Sequence, residues 1–151
     1  MIEITCARER IDVDLVHRFL STESYWARGI PRELVQRAID HSLPFSAFDG
    51  DAQIAFARVI TDYATYAYLA DVFVLPSHRG RGISKALMAA ITDHPELQSL
   101  RRWSLVTRDA HALYTQFGFT PLDHPERHMM KTIKNPYGPV DDDRVSAQIS
   151  T

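Results

Sequence analysis

The chain has 151 residues, of which 45% are hydrophobic and 24% are charged, and its formal net charge is −2. This balance is typical of one folded globular domain and excludes a disordered protein, a collagen-like fibre and a disulfide-stapled miniprotein. A nearly neutral chain has no general attraction for nucleic acid or an anionic membrane, so we expect neither as a partner. Cys6 is the single cysteine, and no stretch approaches the roughly 20 apolar residues that span a bilayer, so we expect a cytoplasmic protein.

The first half of the chain predicts a strand, two helices and a hairpin. Residues 2–4 alternate as a strand does, and Asp12 is placed to cap a first helix. Pro31 suits the first turn of a second helix. Residues 45–48 and 53–60 predict a hairpin around Asp49-Gly50, a dipeptide that favours tight turns.

Residues 66–95 contain a predicted central strand followed by a helix. The strand is predicted over residues 66–75, and its stretch 69–74 is apolar on both faces except at Asp71, which is typical of a strand inside a sheet. Ile83, Leu87 and Ile91 are spaced by four, and this spacing predicts a helix that stops before Pro95.

The rest of the chain predicts a strand over 103–107, a helix over 110–117 with Asp109 as its N-cap, and two last strands over 119–122 and 128–133. The fold class is therefore α+β with a mixed sheet. We predict one domain over residues 1–134 and a C-terminal tail over 135–151. Two interpretations of the tail stay open: it is loose, or it packs on a second subunit in a homodimer.

The turn between the central strand and its helix is rich in glycine and arginine. Gly80 and Gly82 allow the backbone to come close to a ligand and to adopt positive φ angles. The first amides of the following helix have no partner within the helix, and its dipole adds positive charge there. Arg79, Arg81 and Lys85 add charge at the same end. The turn is therefore an expected anion site suited to a pyrophosphate, or else a connector with solvated basic residues.

The segment Arg79-Gly80-Arg81-Gly82-Ile83-Ser84 resembles the coenzyme A loop of the GCN5-related N-acetyltransferase (GNAT) family at Arg79 and Gly82. The last loop position of the family is Gly or Ala, and Ser84 stands there. Downstream, Ala112, Tyr114 and Gly118-Phe119 match a second family motif, in which Asp109 replaces an Asn. The resemblance covers about residues 2–133.

The resemblance implies a mostly antiparallel sheet flanked by helices and splayed between the two strands that hold the cofactor arm. It implies an N-acetyltransferase that uses acetyl-coenzyme A as cosubstrate and transfers acetyl directly to a primary amine of an unknown small-molecule or peptide acceptor. The implied cofactor-binding residues are Phe73, Val74, Arg79, Gly80, Arg81, Gly82, Ile83 and Ser84.

Tyr114 is placed like the general acid of that family, which protonates the departing thiolate. A phenol with a pKa of about 10 stays protonated at neutral pH, so it can donate. The alternative is a core aromatic residue.

The general base and the acceptor wall are less defined by the sequence. Asp71 is the first candidate base, because an acid within an apolar strand either resists ionisation or has a dedicated partner. The alternative is that Asp71 only hydrogen-bonds a neighbouring backbone group or Tyr side chain. Asp62 is a weaker candidate base, and a chain of waters can replace both acids. Tyr25 and Trp26 lie where the family builds its acceptor wall, and Trp26 alternatively caps the core.

Other functions remain open at this point. His124 and His128 are separated by Pro125, and no Cys or acidic pair completes a ligand set, so we expect no metal site. A coenzyme A-binding sensor without useful catalysis is the main alternative, and a general phosphate-binding protein is a weaker one.

Overall fold

The computed structural model describes residues 1–138, so the predicted tail from residue 139 onward lies outside the described residues. Five strands form one sheet: β1 (Ile2–Thr5), β2 (Leu43–Asp49), β3 (Ala52–Thr61), β4 (Tyr66–Val74) and β5 (Arg102–Ser104). The α-helices are α1 (Val13–Arg18), α2 (Arg32–Asp40), α3 (Ile83–Thr92) and α4 (His111–Thr115). A π-helical turn, Phe19–Glu23, continues α1. In the described part of the chain, no helix has the length and apolarity to cross a membrane.

The sheet follows chain order, β1-β2-β3-β4-β5. Neighbouring strands are antiparallel except β4 and β5, which are parallel and are joined through α3. A register shift between Phe56 and Arg58 on β3 places a bulge in β4 at Asp71, whose φ is +54°. The predicted α+β class with a mostly antiparallel mixed sheet is confirmed.

Apolar side chains cover both faces of the sheet. On one face, Leu87 and Ile91 of α3 are fully buried against strand residues such as Val59. On the other face, the rings of Phe19 and Phe73 stack with centroids 4.0 Å apart and join the α1–α2 layer to β4. Alternating side chains along β3 and β4 thus supply two cores, as a central strand requires.

Most elements of the first half were predicted correctly. The Asp12 carboxylate accepts the Leu15 amide at 3.0 Å and caps α1, as expected. The hairpin is present, but Asp49 pairs with Ala52 as the last strand residue, so the turn is Gly50-Asp51, one residue later than predicted.

Three expectations for the second half were wrong. The strand predicted over 103–107 ends at Ser104, because the chain then diverges from β4. Asp109 is not the N-cap of α4; that position is Ala110, whose amide donates to Thr107 Oγ1 at 3.0 Å. Residues 119–122 and 128–133 form no strand, because among residues 1–138 no neighbouring strand pairs with them.

Candidate functional site

Two left-handed glycines shape the turn between β4 and α3. Gly80 and Gly82 both have a φ of +75°, and Gly82 is the N-cap of α3. A Cβ atom built on either glycine would meet no heavy atom of residues 1–138 within 4 Å. The glycines are therefore required by the backbone conformation, and the space in front of them is open.

The amides of this turn are available to a ligand. Within residues 1–138, no hydrogen bond is donated by the backbone N–H groups from Gly80 to Lys85, whereas Ala86 N donates to Gly82 O at 3.0 Å. Six consecutive donors at the N-terminus of a ten-residue helix make this turn a candidate anion site. The residues predicted to hold the cofactor phosphates are brought together here.

Charged side chains surround the same turn. Arg79 Nε donates to the Val74 carbonyl at 3.0 Å, which fastens the turn to the end of β4. On the preceding turn, His78 Nε2 lies 2.9 Å from the Asp49 carboxylate, and this hydrogen bond lowers the pKa of Asp49. Arg81 and Lys85 are exposed and add positive charge beside the six amides.

The sheet opens next to this turn. Parallel pairing joins residues 66–68 of β4 to residues 102–104 of β5 and then stops. In the described chain, β4 continues to Val74 with no strand beside it on that edge. An extended ligand arm can therefore lie along Phe73 and Val74, with its anionic end at the glycine turn and its other end near the point of divergence.

Tyr114 of α4 is 8% exposed and contacts Phe119 edge-to-face at 6.0 Å. Burial raises its pKa to about 12, with smaller contributions from Tyr25 and Asp109. Its phenol is thus held in the protonated, donor-competent form across the physiological range. This arrangement suits both predicted roles, because Tyr114 also belongs to the core cluster under α3.

Asp71 lies at the bulge of β4 with both carboxylate oxygens engaged. Oδ1 accepts the Trp26 indole N–H at 2.7 Å, and Oδ2 accepts Arg58 Nε at 2.6 Å. The side chains of Arg58 and Asp71 are only 17% and 11% exposed. Asp71 therefore has a dedicated charged partner, Arg58, and its neighbouring side chain is Trp26 rather than the backbone or Tyr group that the sequence analysis named as the alternative.

Tyr25 and Trp26 form one aromatic cluster with Arg108. The two rings meet edge-to-face at 5.0 Å, and the Arg108 guanidinium lies over the Tyr25 ring at 4.0 Å. The Tyr25 hydroxyl also accepts the Arg108 amide at 3.3 Å. Trp26 also donates to Asp71, so the cluster is linked to the bulge of β4.

Sequence reasoning missed Arg58, Arg108 and Tyr137. Burial raises the pKa of Tyr137, and the charge of Asp71 adds to the shift. A charged residue within the apolar stretch 53–60 was a usable signal for Arg58. Asp62, the weaker candidate base, lies apart in the β3–β4 turn. Its carboxylate accepts the Ala64 and Thr65 amides and the Thr65 hydroxyl, which lower its pKa far below the usual range.

Comparison with known proteins identifies one family. The model of the Acetyltransferase (GNAT) family matches residues 13–119. A candidate acetyltransferase of Gibberella zeae is 30% identical over 127 residues, which cover 69% of this chain and 70% of that protein.

Solved structures agree in fold. A crystal structure of a candidate GNAT-family acetyltransferase from Xanthomonas campestris pv. campestris is 54% identical, with a TM-score of 0.89, and covers 92% of this chain and 98% of its own. A predicted acetyltransferase with acetyl-CoA from Clostridium acetobutylicum is 18% identical, with a TM-score of 0.61, over 82% of this chain and 92% of that one. The latter likeness shows the fold alone.

Proposed function

Because the chain belongs to the GNAT acetyltransferase family, we propose that it moves an acetyl group from acetyl-coenzyme A directly to the amine of a small-molecule or peptide acceptor. The observation that carries the proposal is that six successive amides, from Gly80 to Lys85, donate no hydrogen bond within the described residues. They lie next to the place where β4 and β5 diverge. A pyrophosphate can accept several amide hydrogen bonds at once, and an extended pantetheine arm can lie along a strand edge that has no neighbouring strand.

Different residues are proposed to bind different parts of the cofactor. The amides from Gly80 to Ser84 bind the pyrophosphate, and Arg79 and Arg81 add charge. The β4 backbone around Phe73 and Val74, which has no strand beside it on one edge, is proposed to hold the arm and to donate to the thioester carbonyl, where negative charge develops during acyl transfer. We expect micromolar affinity for acetyl-coenzyme A.

Tyr114 is the proposed general acid. The acceptor nitrogen bonds to the acetyl carbon, the carbon–sulfur bond breaks, and the departing thiolate takes the phenolic proton of Tyr114. Solvent then restores that proton, and the acceptor nitrogen releases one to water. A buried phenol with a raised pKa stays protonated until the thiolate develops beside it. No covalent enzyme intermediate is required.

Asp71 is proposed to position the acceptor wall. Its carboxylate holds Trp26 and Arg58 at fixed geometry, and the aromatic pair of Tyr25 and Trp26 can hold an ammonium by cation–π contact. A direct role as base would require Asp71 to exchange one of these contacts for the substrate proton. The contacts therefore favour the positioning role.

The deciding experiment is a screen of amines that reports free thiol release. The chain is incubated with acetyl-coenzyme A and a panel of small amines, amino acids and peptides, and the acetylated product is identified by mass spectrometry. Thiol release that depends on one acceptor class supports the proposal. Tight cofactor binding with no product from any amine would favour the alternative, a coenzyme A-binding sensor.

A further inference from the structure

The aromatic cluster at the proposed acceptor wall includes an arginine without a charged partner. None of the ion pairs formed within residues 1–138 includes Arg108, and the adjacent acid, Asp109, is not paired with it. In the described part of the chain, the hydrogen bond that Arg108 makes runs from its backbone amide to the Tyr25 hydroxyl, and its guanidinium donates none.

The position of Arg108 is nevertheless fixed. Its guanidinium carbon lies 4.0 Å from the centre of the Tyr25 ring, and its amide donates to the hydroxyl of the same residue at 3.3 Å. Thr107 Oγ1 accepts the Ala110 amide at 3.0 Å, which closes the turn that carries Arg108. The contact with the ring leaves the fork of N–H donors available to a carboxylate, whose geometry matches that fork.

Arg108 also lies on the segment that borders the proposed site of transfer. β5 ends at Ser104, and the chain that diverges there from β4 passes through Arg108 before it enters α4 and reaches Tyr114. The arginine thus belongs to the segment that joins the opened sheet to the proposed general acid.

The charges at the wall disfavour an acceptor that is a simple cation. The Asp71 carboxylate is already engaged by Trp26 and Arg58, and Arg58 balances its charge. Arg108 adds a positive charge that no ion pair among the described residues balances, and it covers one face of the Tyr25 ring. A plain alkylammonium meets this repulsion, whereas an acceptor with its own carboxylate offsets it.

Trp26 supplies a second contact for such an acceptor. It meets Tyr25 edge-to-face at 5.0 Å and is 41% exposed. Because the Arg108 guanidinium lies on Tyr25, these short distances bring the arginine and the Trp26 ring within reach of one small molecule. The carboxylate end can bind Arg108 while the amine end lies against Trp26, which is hydrogen-bonded to the bulge of β4.

We propose that the acceptor is an amino acid, with an amine and a carboxylate in one small molecule, and that Arg108 binds the carboxylate. This inference rests on the proposed acetyl transfer and names the class of its acceptor. The amine nitrogen takes the acetyl group and gives up one proton, and the carboxylate is unchanged. The products are an N-acetylamino acid and coenzyme A.

The first test compares amino acids with the amines that lack their carboxylate. Glycine, β-alanine and longer ω-amino acids are paired with methylamine, ethylamine and the corresponding alkylamines, and thiol release gives kcat/KM at matched concentrations of neutral amine. At least one amino acid should exceed its paired amine by about tenfold, the scale of one charge-assisted contact. Equal values in every pair, or a preference for the matching aminoalkylphosphonate, would overturn the carboxylate site and leave acetyl transfer standing.

The second test locates the contact. Arg108→Gln should raise the KM for the preferred amino acid about tenfold and leave the KM for its paired alkylamine and both kcat values nearly unchanged. Arg108→Lys should restore part of the affinity, because lysine keeps the charge without the fork. Arg37→Gln, which removes the same charge from the exposed side of α2, is the matched control and should change neither KM. Equal increases in KM for both acceptors would make Arg108 a structural part of the wall only and refute the inference.

Binding without turnover separates this inference from the proposed function. Isothermal titration of the chain with coenzyme A present measures the affinity for the amino acids in the parent and in Arg108→Gln. Binding that the variant weakens, with no thiol release from any amine, would refute acetyl transfer and keep the carboxylate site. Absence of binding and turnover for every amino acid, or equal affinity in the variant and the parent, would refute the carboxylate site.

Discussion

The indole N–H of Trp26 donates to Asp71 Oδ1 at 2.7 Å, which links the loop between α1 and α2 to the bulge of β4. The other carboxylate oxygen accepts Arg58 Nε at 2.6 Å, so one side chain fixes two neighbours at the proposed acceptor wall. The left-handed backbone of Asp71 directs this carboxylate toward both partners, and few residue types adopt that conformation readily.

Asp71→Asn is expected to raise the KM for the acceptor and to leave kcat within about tenfold, because the amide keeps the Trp26 contact but loses the charge facing Arg58. Stability should fall by about 3 kcal/mol, since the ion pair is largely shielded from water. Steady-state kinetics and urea unfolding measure the two effects. A large loss of kcat together with loss of the acidic limb of its pH profile would instead make Asp71 the general base.

Gly82→Trp is expected to weaken acetyl-coenzyme A binding by about 100-fold, because losing two charge-assisted hydrogen bonds costs roughly 3 kcal/mol. Gly50→Trp is the matched control, since Gly50 also has a positive φ and open space at its Cβ position but lies in the β2–β3 turn. Isothermal titration of both variants separates backbone strain from blocked binding. Equal affinities in the two variants would remove the glycine turn from the site.

Tyr114→Phe is expected to lower kcat by about 100-fold, the usual scale for general acid catalysis, with nearly unchanged cofactor affinity. Tyr63→Phe serves as the control, because Tyr63 lies in the exposed β3–β4 turn. Single-turnover kinetics with a saturating acceptor measure the step directly. Full turnover in the Tyr114→Phe enzyme would exclude the phenol from the mechanism.

The raised pKa of Tyr114 predicts a loss of stability at alkaline pH. The unfolded chain releases this proton near pH 10 and the folded chain near pH 12, so the stabilising contribution is complete below pH 10 and disappears as pH rises through 12. The loss is on the order of 2 kcal/mol. Urea unfolding at about pH 9 and about pH 11.5 should show a smaller decrease for Tyr114→Phe than for the parent chain, because the two conditions lie on either side of the unfolded pKa. Identical decreases would contradict the assignment.

Asp12→Ala is expected to destabilise the fold by about 1 kcal/mol, because its carboxylate accepts the Leu15 amide at the start of α1. Asp14→Ala removes an acid from the same turn, but its ion pair with Arg32 is exposed to solvent and should contribute much less than the cap. Thermal unfolding of the two variants compares a capping residue with a surface pair. Equal losses of stability in the two variants would show that the capping hydrogen bond contributes no more than the exposed ion pair.

Local patterns predicted those elements whose evidence lies in neighbouring residues. The spacing of Ile83, Leu87 and Ile91 reports one buried face, and these residues do line the core as α3. The residue types in 128–133 indicate strand-forming ability only, because pairing depends on which other segment lies alongside. The strand predicted over 128–133 was therefore wrong because the segment itself holds no information about a pairing partner.

In the candidate site, too, the residues that are contiguous in sequence could be predicted, and the contacts between distant residues could not. The glycine turn is contiguous, so its residues could be named from their order along the chain. The Trp26–Asp71–Arg58 contacts join residues 45 and 13 positions apart, and they depend on the bulge that turns Asp71 toward its partners. No periodicity in the sequence indicates this bulge, so the pairing of Arg58 with Asp71 could not be predicted.

The unmatched amides from Gly80 to Lys85 have a practical consequence for enzymology. Donors aimed at open solvent accept any compact oxyanion, so sulfate or phosphate in a buffer will compete with the cosubstrate. Apparent affinities measured in such buffers will be too weak, and the discrepancy will grow with the concentration of the salt. Assays in chloride with a zwitterionic buffer will report the intrinsic value.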